Sequence, residues 1–188
     1  MQWLNSRSRY GFIAASLHWI IVAAIIAQYF LAEAAEEQSD GPVGVFTAAS
    51  IHNSLGIAIL ALALLRILWR VVELPPAPPT TMKSYEIALA RTVHVAFYFL
   101  LFAIPISGWV LATVDAVPLS FFGLFDLPQL STAGGTFSKE QLEDVHEILF
   151  NILLGLALLH AAAALKHHFF DRDGVLRSMP RLTSSCAT

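Results

Sequence analysis

Four long apolar stretches constrain the fold of this chain more than any other feature of its sequence. Each is at least about 20 residues long with few charges in its interior, which is enough for a helix to cross a bilayer. The chain has 188 residues, of which 56% are hydrophobic and 13% charged, whereas a soluble domain carries about 25% charge. We therefore predict an all-α membrane protein with helices over residues 10–31, 45–72, 85–114 and 138–170.

The segments between these stretches predict where the helices end. The first connector is acidic and ends at Gly41-Pro42. The second contains four prolines, which cannot continue a helix. The third, residues 115–137, is rich in aromatic side chains and is predicted to lie on the membrane interface. Ser138 and Gln141 fit a capping box that starts the fourth helix, and Pro105 predicts a kink inside the third. The acidic residues of the first connector are Glu33, Glu36, Glu37 and Asp40.

One membrane domain accounts for residues 1–181, and residues 182–188 are predicted to form a flexible tail. The first stretch could instead be a signal peptide, because Ala32-Glu33-Ala34 resembles a cleavage site. Its apolar part exceeds the ~7–15 residues of a signal core, which favours a retained helix. Cys186 is the only cysteine, so an internal disulfide and covalent haem attachment through two cysteines are excluded.

The charges are distributed very unevenly between the two sides. Every basic residue except Lys139 lies in the N-terminal segment, the second connector, the C-terminal segment or the adjoining helix ends. Most acidic residues lie on the opposite side. The positive-inside rule then predicts an up-down-up-down bundle with both termini cytoplasmic. The net charge of −3 gives no indication of a nucleic-acid partner.

Two histidines of the fourth stretch share one helical face at two depths. His160 follows His146 by fourteen positions, which is about 21 Å of rise and nearly four whole turns. His167 continues the same stripe one heptad later. Histidines this far apart cannot bind one metal ion, but each could hold one of two large planar groups.

The predicted topology pairs these histidines with partners at matching depths. His18 lies in the cytoplasmic half of helix one and pairs with His160, and His52 lies in the outer half of helix two and pairs with His146. His94 is also at the cytoplasmic level and has no evident partner. Ionisable groups within a bilayer usually mark function. The alternative is that these imidazoles only form hydrogen bonds between helices or face the headgroups.

Haem suits these histidines better than zinc or a di-iron centre. A zinc or di-iron centre would need carboxylates beside the histidines, and no span has an Asp or Glu in its middle. Haem iron accepts axial imidazoles. Small residues near the histidines, such as Gly56, Gly155 and Ala161, would leave room for a porphyrin. Arg66 stands fourteen positions after His52, where it could pair with a haem propionate or simply anchor the helix at the cytoplasmic surface.

Several motifs resemble the bacterial cytochrome b561 family over about residues 8–181. They are Ser16-Leu17-His18-Trp19, Ile51-His52-Asn53-Ser54-Leu55-Gly56, His146-Glu147 and the segment from Leu159 to His168. The resemblance implies four helices in the bacterial inner membrane and two non-covalent b haems. It also implies that His18 and His160 hold the inner haem, that His52 and His146 hold the outer one, and that electrons are exchanged with membrane quinone such as ubiquinone.

One member type of this family is a superoxide oxidase that reduces ubiquinone. The acidic outer surface predicted here would repel superoxide, and it would suit a basic periplasmic protein donor better. At the cytoplasmic level, His94 and His167 are candidates for the quinone site, with interfacial hydrogen bonding as the alternative. Two further hypotheses are a haem-binding anchor subunit of a larger dehydrogenase or hydrogenase, and a haem-free transporter or scaffold bundle.

Overall fold

Four long helices form the protein in a computed structural model, which describes residues 2–6, 9–37, 47–130 and 137–172. They are α1 (Phe12–Glu37), α2 (Ala48–Val72), α3 (Ser84–Val114) and α4 (Lys139–Lys166). The predicted all-α, four-helix architecture is confirmed. Some residues named above lie outside the described residues, namely Asp40, Gly41, Pro42, Cys186 and the predicted tail 182–188.

The first helix is longer than the sequence predicts. Its hydropathy falls after Leu31, but α1 continues to Glu37, so Glu33, Glu36 and Glu37 lie on the helix and not in the connector. Alanine and glutamate are both good helix formers, and the segment that follows Leu31 consists of little else. The prediction that these acidic residues form a connector was therefore wrong.

The fourth helix begins where the sequence predicts. Ser138 Oγ accepts the Gln141 N–H at 3.2 Å, and Gln141 Oε1 accepts the Ser138 N–H at 3.0 Å. This reciprocal pair is a capping box, which satisfies two amide groups that have no partner inside the helix. At its other end α4 continues as one π-helical turn, His167–Asp171.

Neighbouring helices are antiparallel. Late residues of α1 meet early residues of α2, since Gln28 bonds the backbone of His52, and early α1 meets late α2 where Arg66 bonds Ala14. Closely packed neighbours are α1 with α2, α2 with α3, and α3 with α4. Helix α3 runs through the predicted kink position Pro105 as one helix. A small apolar core joins the first three helices, formed by Ile21, Ala24, Ile59, Ala63 and Leu101.

Most of the helical surface is apolar and faces outward. Only 6% to 22% of the most hydrophobic window of each helix is buried inside the protein. Large side chains such as Phe30, Leu65, Phe99 and Leu159 are each more than half exposed. Apolar surface on this scale is not stable in water, so the four helices cross a membrane. The cytoplasmic location of the termini remains a prediction.

The connector after α3 contains the only β-structure among the described residues. Strands β1 (Ser120–Phe121) and β2 (Phe125–Asp126) pair antiparallel around a turn in which Phe122 and Gly123 have positive φ. The buried Ser54 hydroxyl of α2 holds this ribbon, since it lies 3.0 Å from Ser120 O and accepts the Phe122 N–H at 3.0 Å. The ribbon is thereby fixed to the end of the bundle where α2 and α4 begin.

Candidate functional site

Two imidazoles face each other at the end of the bundle that carries the ribbon. The ring centres of His52 and His146 are 6.3 Å apart and the rings are inclined by 67°. Both line a partly open cavity with about 600 Å³ of empty volume. The remaining lining is almost entirely apolar and includes Ile25, Ile57, Leu101, Pro105, Trp109, Leu119, Phe150 and Leu153.

Local packing holds His146 in this position. Its Nδ1 atom lies 2.9 Å from Ser107 Oγ, and the Ser107 hydroxyl donates to the Ile104 carbonyl at 2.8 Å. Gly108 lies directly under the ring, where a Cβ atom would come within 3.1 Å of His146 Cε1. A larger residue at position 108 would therefore displace the imidazole.

On the opposite wall, Gln28 and Gly56 hold His52. Gln28 Nε2 donates to the His52 carbonyl at 3.0 Å. A Cβ atom on Gly56 would lie 3.3 Å from the same Nε2 atom, so the glycine lets the amide approach α2. His52 Nδ1 and Gln28 Oε1 are both buried without a hydrogen-bond partner in the described part of the chain.

These residues fit a haem better than they fit a bare cation. The cavity offers two facing imidazoles and mostly apolar walls, with no carboxylate among its described lining residues, and this set of residues would suit a haem held by two histidines. Two metal–imidazole bonds of about 2 Å each, together with the distance from each nitrogen to its ring centre, span roughly the observed separation. The unpartnered His52 Nδ1 adds a buried polar atom that still needs a partner.

At the other end of the bundle, three histidines gather instead of two. The His160 ring lies 5.5 Å from the His94 ring and 5.5 Å from the Phe97 ring. His18 lies within electrostatic range of Arg66, His160 and His94. The structure thus brings the predicted partners His18 and His160 to one level. It corrects the expectation that His94 has no partner, because α3 presents this residue directly to α4.

Arg66 lies at the level of these three histidines, as its spacing from His52 predicts. Its Nη1 atom donates to the Ala14 carbonyl of α1 at 3.1 Å. It also lines a smaller cavity of about 290 Å³ together with Tyr10, Trp69 and Arg70. The bond to α1 fits an anchoring role, and the proximity to three histidines fits a partner for a haem propionate.

His167 lies apart from both groups of imidazoles. It is buried, and its Nδ1 atom lies 3.0 Å from Asp171 Oδ2. The Lys166 ammonium bridges the same carboxylate at 2.8 Å and Glu86 of α3 at 3.1 Å. Ligand atoms of Glu86, His167 and Asp171 lie within 4.8 Å of one another. Lys166 already provides the positive charge that a metal ion would bring there.

Gln28 and Ser107 are site residues that the sequence reading missed. Gln28 is a polar amide inside an otherwise apolar span, and such residues usually have a buried partner. That signal was available and could have singled it out. Ser107 carried no comparable signal, because small hydroxyl residues are common in membrane helices.

Comparisons with known proteins place the chain in a family. Residues 9–181 match the family described as prokaryotic cytochrome b561. Cytochrome b561 homolog 2 of Escherichia coli is 34% identical over 185 residues, covering 98% of each chain. The probable superoxide oxidase CybB of Yersinia pestis is 30% identical over 177 residues, covering 92% of this chain and 97% of the relative.

A further relative, cytochrome b561 homolog 1 of Escherichia coli, is 27% identical over 170 residues, covering 88% of this chain and 93% of the relative. The family match, over residues 9–181, includes all four helices and all the histidines discussed above. It also agrees with the facing imidazoles of His52 and His146 in an apolar cavity. The chain belongs to the prokaryotic cytochrome b561 family, and is thus a multi-pass bacterial membrane protein that uses haem b for electron transfer.

Proposed function

We propose that the protein carries electrons across the bacterial inner membrane through two b haems, from a periplasmic donor to membrane quinone. His52 and His146 would hold the outer haem, and His18 and His160 the inner one. The observation that carries this proposal is the facing of His52 and His146, 6.3 Å apart, in an apolar cavity. The gathering of His18 and His160 at a second level of the same bundle supports a second haem.

The protein's own residues suit a relay better than chemistry at iron. Bound haem would supply a one-electron redox couple, and a haem held by two histidines would have no coordination position left for a substrate. The apolar lining of the outer cavity limits access of water and so helps to set the potential. His146 and His160 lie on one continuous helix, about 21 Å apart along its axis, so α4 spans both levels.

At the inner level, we propose that Arg66 pairs with a haem propionate. Its guanidinium lies within range of His18, His160 and His94, and a guanidinium is well suited to bind a carboxylate. The hydrogen bond to Ala14 fixes the arginine between α1 and α2, which would hold its charge in place.

Quinone reduction needs protons at the cytoplasmic level, where we propose a role for His94 or His167. His94 contacts His160, so it lies beside the proposed inner ligand. His167 contacts Asp171, which is also bonded to Lys166, and this pairing connects an imidazole to charged side chains near the end of α4. A histidine next to a carboxylate is a suitable group for proton transfer.

Outer-surface charge favours a basic protein as the electron donor. Every acidic residue that the structure describes at this end is exposed, including Glu36, Asp126 and Asp144. Lys139, the basic residue on this side, is bound to Asp115 at 2.9 Å and lies 3.7 Å from Glu143. A negative surface attracts a basic soluble cytochrome and repels anions.

Superoxide oxidation coupled to ubiquinone reduction is the second candidate, because a relative at 30% identity is named a probable superoxide oxidase. Stopped-flow measurement of superoxide-dependent ubiquinone reduction at low and high salt tests it. We expect slow reaction at low salt and acceleration by salt, since screening weakens the repulsion. A rate near the diffusion limit with no salt dependence would contradict the electrostatic preference for a protein donor.

Haem content and spectra of the purified protein test the relay itself. We expect two haems per chain in the wild type and one in each of His52→Ala and His160→Ala, with the reduced-minus-oxidised spectrum losing a different component in each. His168→Ala is the control, since this half-buried imidazole lies outside both groups. A colourless wild type, or a variant that keeps both haems, would overturn the assignment.

An anchor role in a larger dehydrogenase or hydrogenase makes a different prediction. Gentle purification from the native membrane would then yield the chain with a large peripheral redox subunit. We expect it without one, because the described part of the connector after α3 is a short ribbon held against α2 by Ser54, whereas a stable interface buries about 1,600 Å².

A further inference from the structure

The Ser107 hydroxyl lies between a backbone carbonyl and the ring of His146. It lies 2.8 Å from the Ile104 carbonyl and 2.9 Å from His146 Nδ1. A serine hydroxyl has one hydrogen and a carbonyl can only accept, so the hydroxyl donates to Ile104 and accepts from the imidazole. In this arrangement a neutral His146 would carry its proton on Nδ1 and keep the lone pair of Nε2.

The facing residue, His52, has a ring nitrogen without a hydrogen-bond partner among the described residues, and Gln28 is bonded to its backbone. His52 Nδ1 and Gln28 Oε1 are both buried and unpartnered among the described residues, although Gln28 Nε2 already bonds the His52 carbonyl. A buried N–H and a buried amide oxygen that both lack partners are costly. A rotation of the Gln28 side chain that brought its oxygen to His52 Nδ1 would pair these two groups in exchange for the present bond from Gln28 Nε2 to the His52 carbonyl.

We propose that Ser107 and Gln28 are positioning residues, which make His146 and His52 each offer Nε2 to the outer haem iron. The inference rests on the proposed two-haem function. A ligating histidine nearly always donates its other N–H to an acceptor, which fixes the ring orientation and makes the ligand more basic. Ser107 lies where it can accept such a bond from His146, and Gln28, which already bonds the His52 carbonyl, has an unpartnered oxygen that can accept the other.

The proposal predicts a change in the outer haem's potential when the Ser107 acceptor is lost. A more basic imidazole stabilises the oxidised iron more than the reduced iron, so Ser107 lowers the potential. Losing the acceptor should weaken haem binding about 10- to 100-fold. If the affinity for oxidised haem falls tenfold more than the affinity for reduced haem, the potential rises by about 59 mV.

A purely structural role for Ser107 is the competing explanation. Serine and threonine in helices often bond a carbonyl of the preceding turn, and Ser107 does so. Thr92 makes the same kind of bond on the same helix, to the Ala88 carbonyl at 3.2 Å, and it is exposed. Thr92→Ala is therefore the matched control, because it removes a hydroxyl bonded to its own helix and leaves the outer imidazoles untouched.

The test uses the purified holoprotein and compares the wild type with Ser107→Ala, Ser107→Thr and Thr92→Ala. Redox titration, ferric low-spin EPR and the rate of haem loss to apomyoglobin are measured, with the outer haem identified by its absence in His52→Ala. We expect a higher outer potential, a changed outer EPR signal and faster haem loss only in Ser107→Ala. Ser107→Thr should keep wild-type values because it retains the hydroxyl.

Gln28→Leu and Gln28→Glu test the positioning role of Gln28 toward His52. The leucine variant removes the acceptor and should raise the outer potential, whereas the glutamate variant keeps an acceptor and should lower it. Wild-type potentials in Ser107→Ala and Gln28→Leu would overturn the inference. If Ser107→Ala fails to fold, Ser107→Cys replaces it, since a thiol is a weaker acceptor and should raise the potential less.

Failure of the two-haem proposal would give a different result, because the wild type would then lack haem or His52→Ala would keep both haems.

Discussion

The two ends of the helical bundle present their histidines differently. At the outer level, two imidazoles face each other across an apolar cavity, with Ser107 in contact with the His146 ring and Gln28 bonded to the His52 backbone. At the inner level, three imidazoles share the space with Arg66, and one of them, His94, is in ring contact with His160. The outer group has the residues needed to hold a cofactor and few others. The inner group has additional residues, which suits an end where charge and protons must also be handled.

The largest expected effect is the loss of a whole haem, which tests the proposed difference between the two ends. At the inner level we expect His18→Ala to remove one of the two haems, while His94→Ala keeps both, because His94 is the additional imidazole. Haem-to-protein ratios from pyridine haemochrome spectra measure this. The opposite result, haem loss in His94→Ala and retention in His18→Ala, would exchange the roles of the two residues.

A substitution under the outer ring should have a smaller and strictly local effect. Gly108→Ala would place a Cβ atom 3.1 Å from His146 Cε1, while Gly155→Ala on α4 meets nothing within 4 Å. Both changes raise helix propensity by about 1 kcal/mol, so any difference arises from contact with the ring. We expect a changed outer-haem EPR signal and several-fold faster haem loss in Gly108→Ala alone. Equal behaviour of the two variants would show that the glycine is not needed.

Removing the inner positive charge should shift one potential without loss of haem. We expect Arg66→Gln to lower the inner haem potential, because a nearby cation favours the reduced state, and to leave the outer potential unchanged. Arg66→Lys should retain most of the wild-type value. Redox titration in the same detergent measures both haems at once. A shift of the outer haem alone would contradict the location of Arg66 at the inner level.

The smallest expected effect concerns the ribbon at the outer end. Ser54→Ala leaves the Phe122 N–H without its acceptor, which should cost about 1–3 kcal/mol of local stability. Hydrogen exchange should become faster in residues 120–126, while the inner haem spectrum stays unchanged. Thr92→Ala, which removes an exposed hydroxyl on α3, provides the control. Unchanged exchange in the ribbon would mean that Ser54 does not hold it.

Much of the fold could be predicted from the sequence because it depends on local chemistry. Apolar length predicted four helices, and the Ser138 capping box predicted the start of α4. The end of α1 was wrong because hydropathy marks where the apolar surface stops, whereas alanine and glutamate allow the helix itself to continue. The ribbon depends on positive φ at Phe122, a residue type that gives no such signal.

The sequence predicted the level of each histidine along its helix, but it did not predict how the helices are rotated about their own axes. Spacing along each helix gave the level of His18, His52, His146 and His160. It did not reveal that α3 turns His94 toward His160, since the relative rotation of two packed helices is decided by side chains throughout their interface. The bond between Ser107 and His146 also joins two helices, so no pattern within one of them could predict it.

The course of α4 has an electrical consequence. His146 and His160 are about 21 Å apart along a helix that crosses a hydrocarbon core of ~30 Å. For the proposed flow, an electron would move inward against an interior that is negative. Moving one charge across the whole membrane costs about 2.3 kcal/mol per 100 mV, so this step would cost roughly two-thirds of that. In energised vesicles the turnover should therefore slow as the membrane potential rises, and an uncoupler should speed it up.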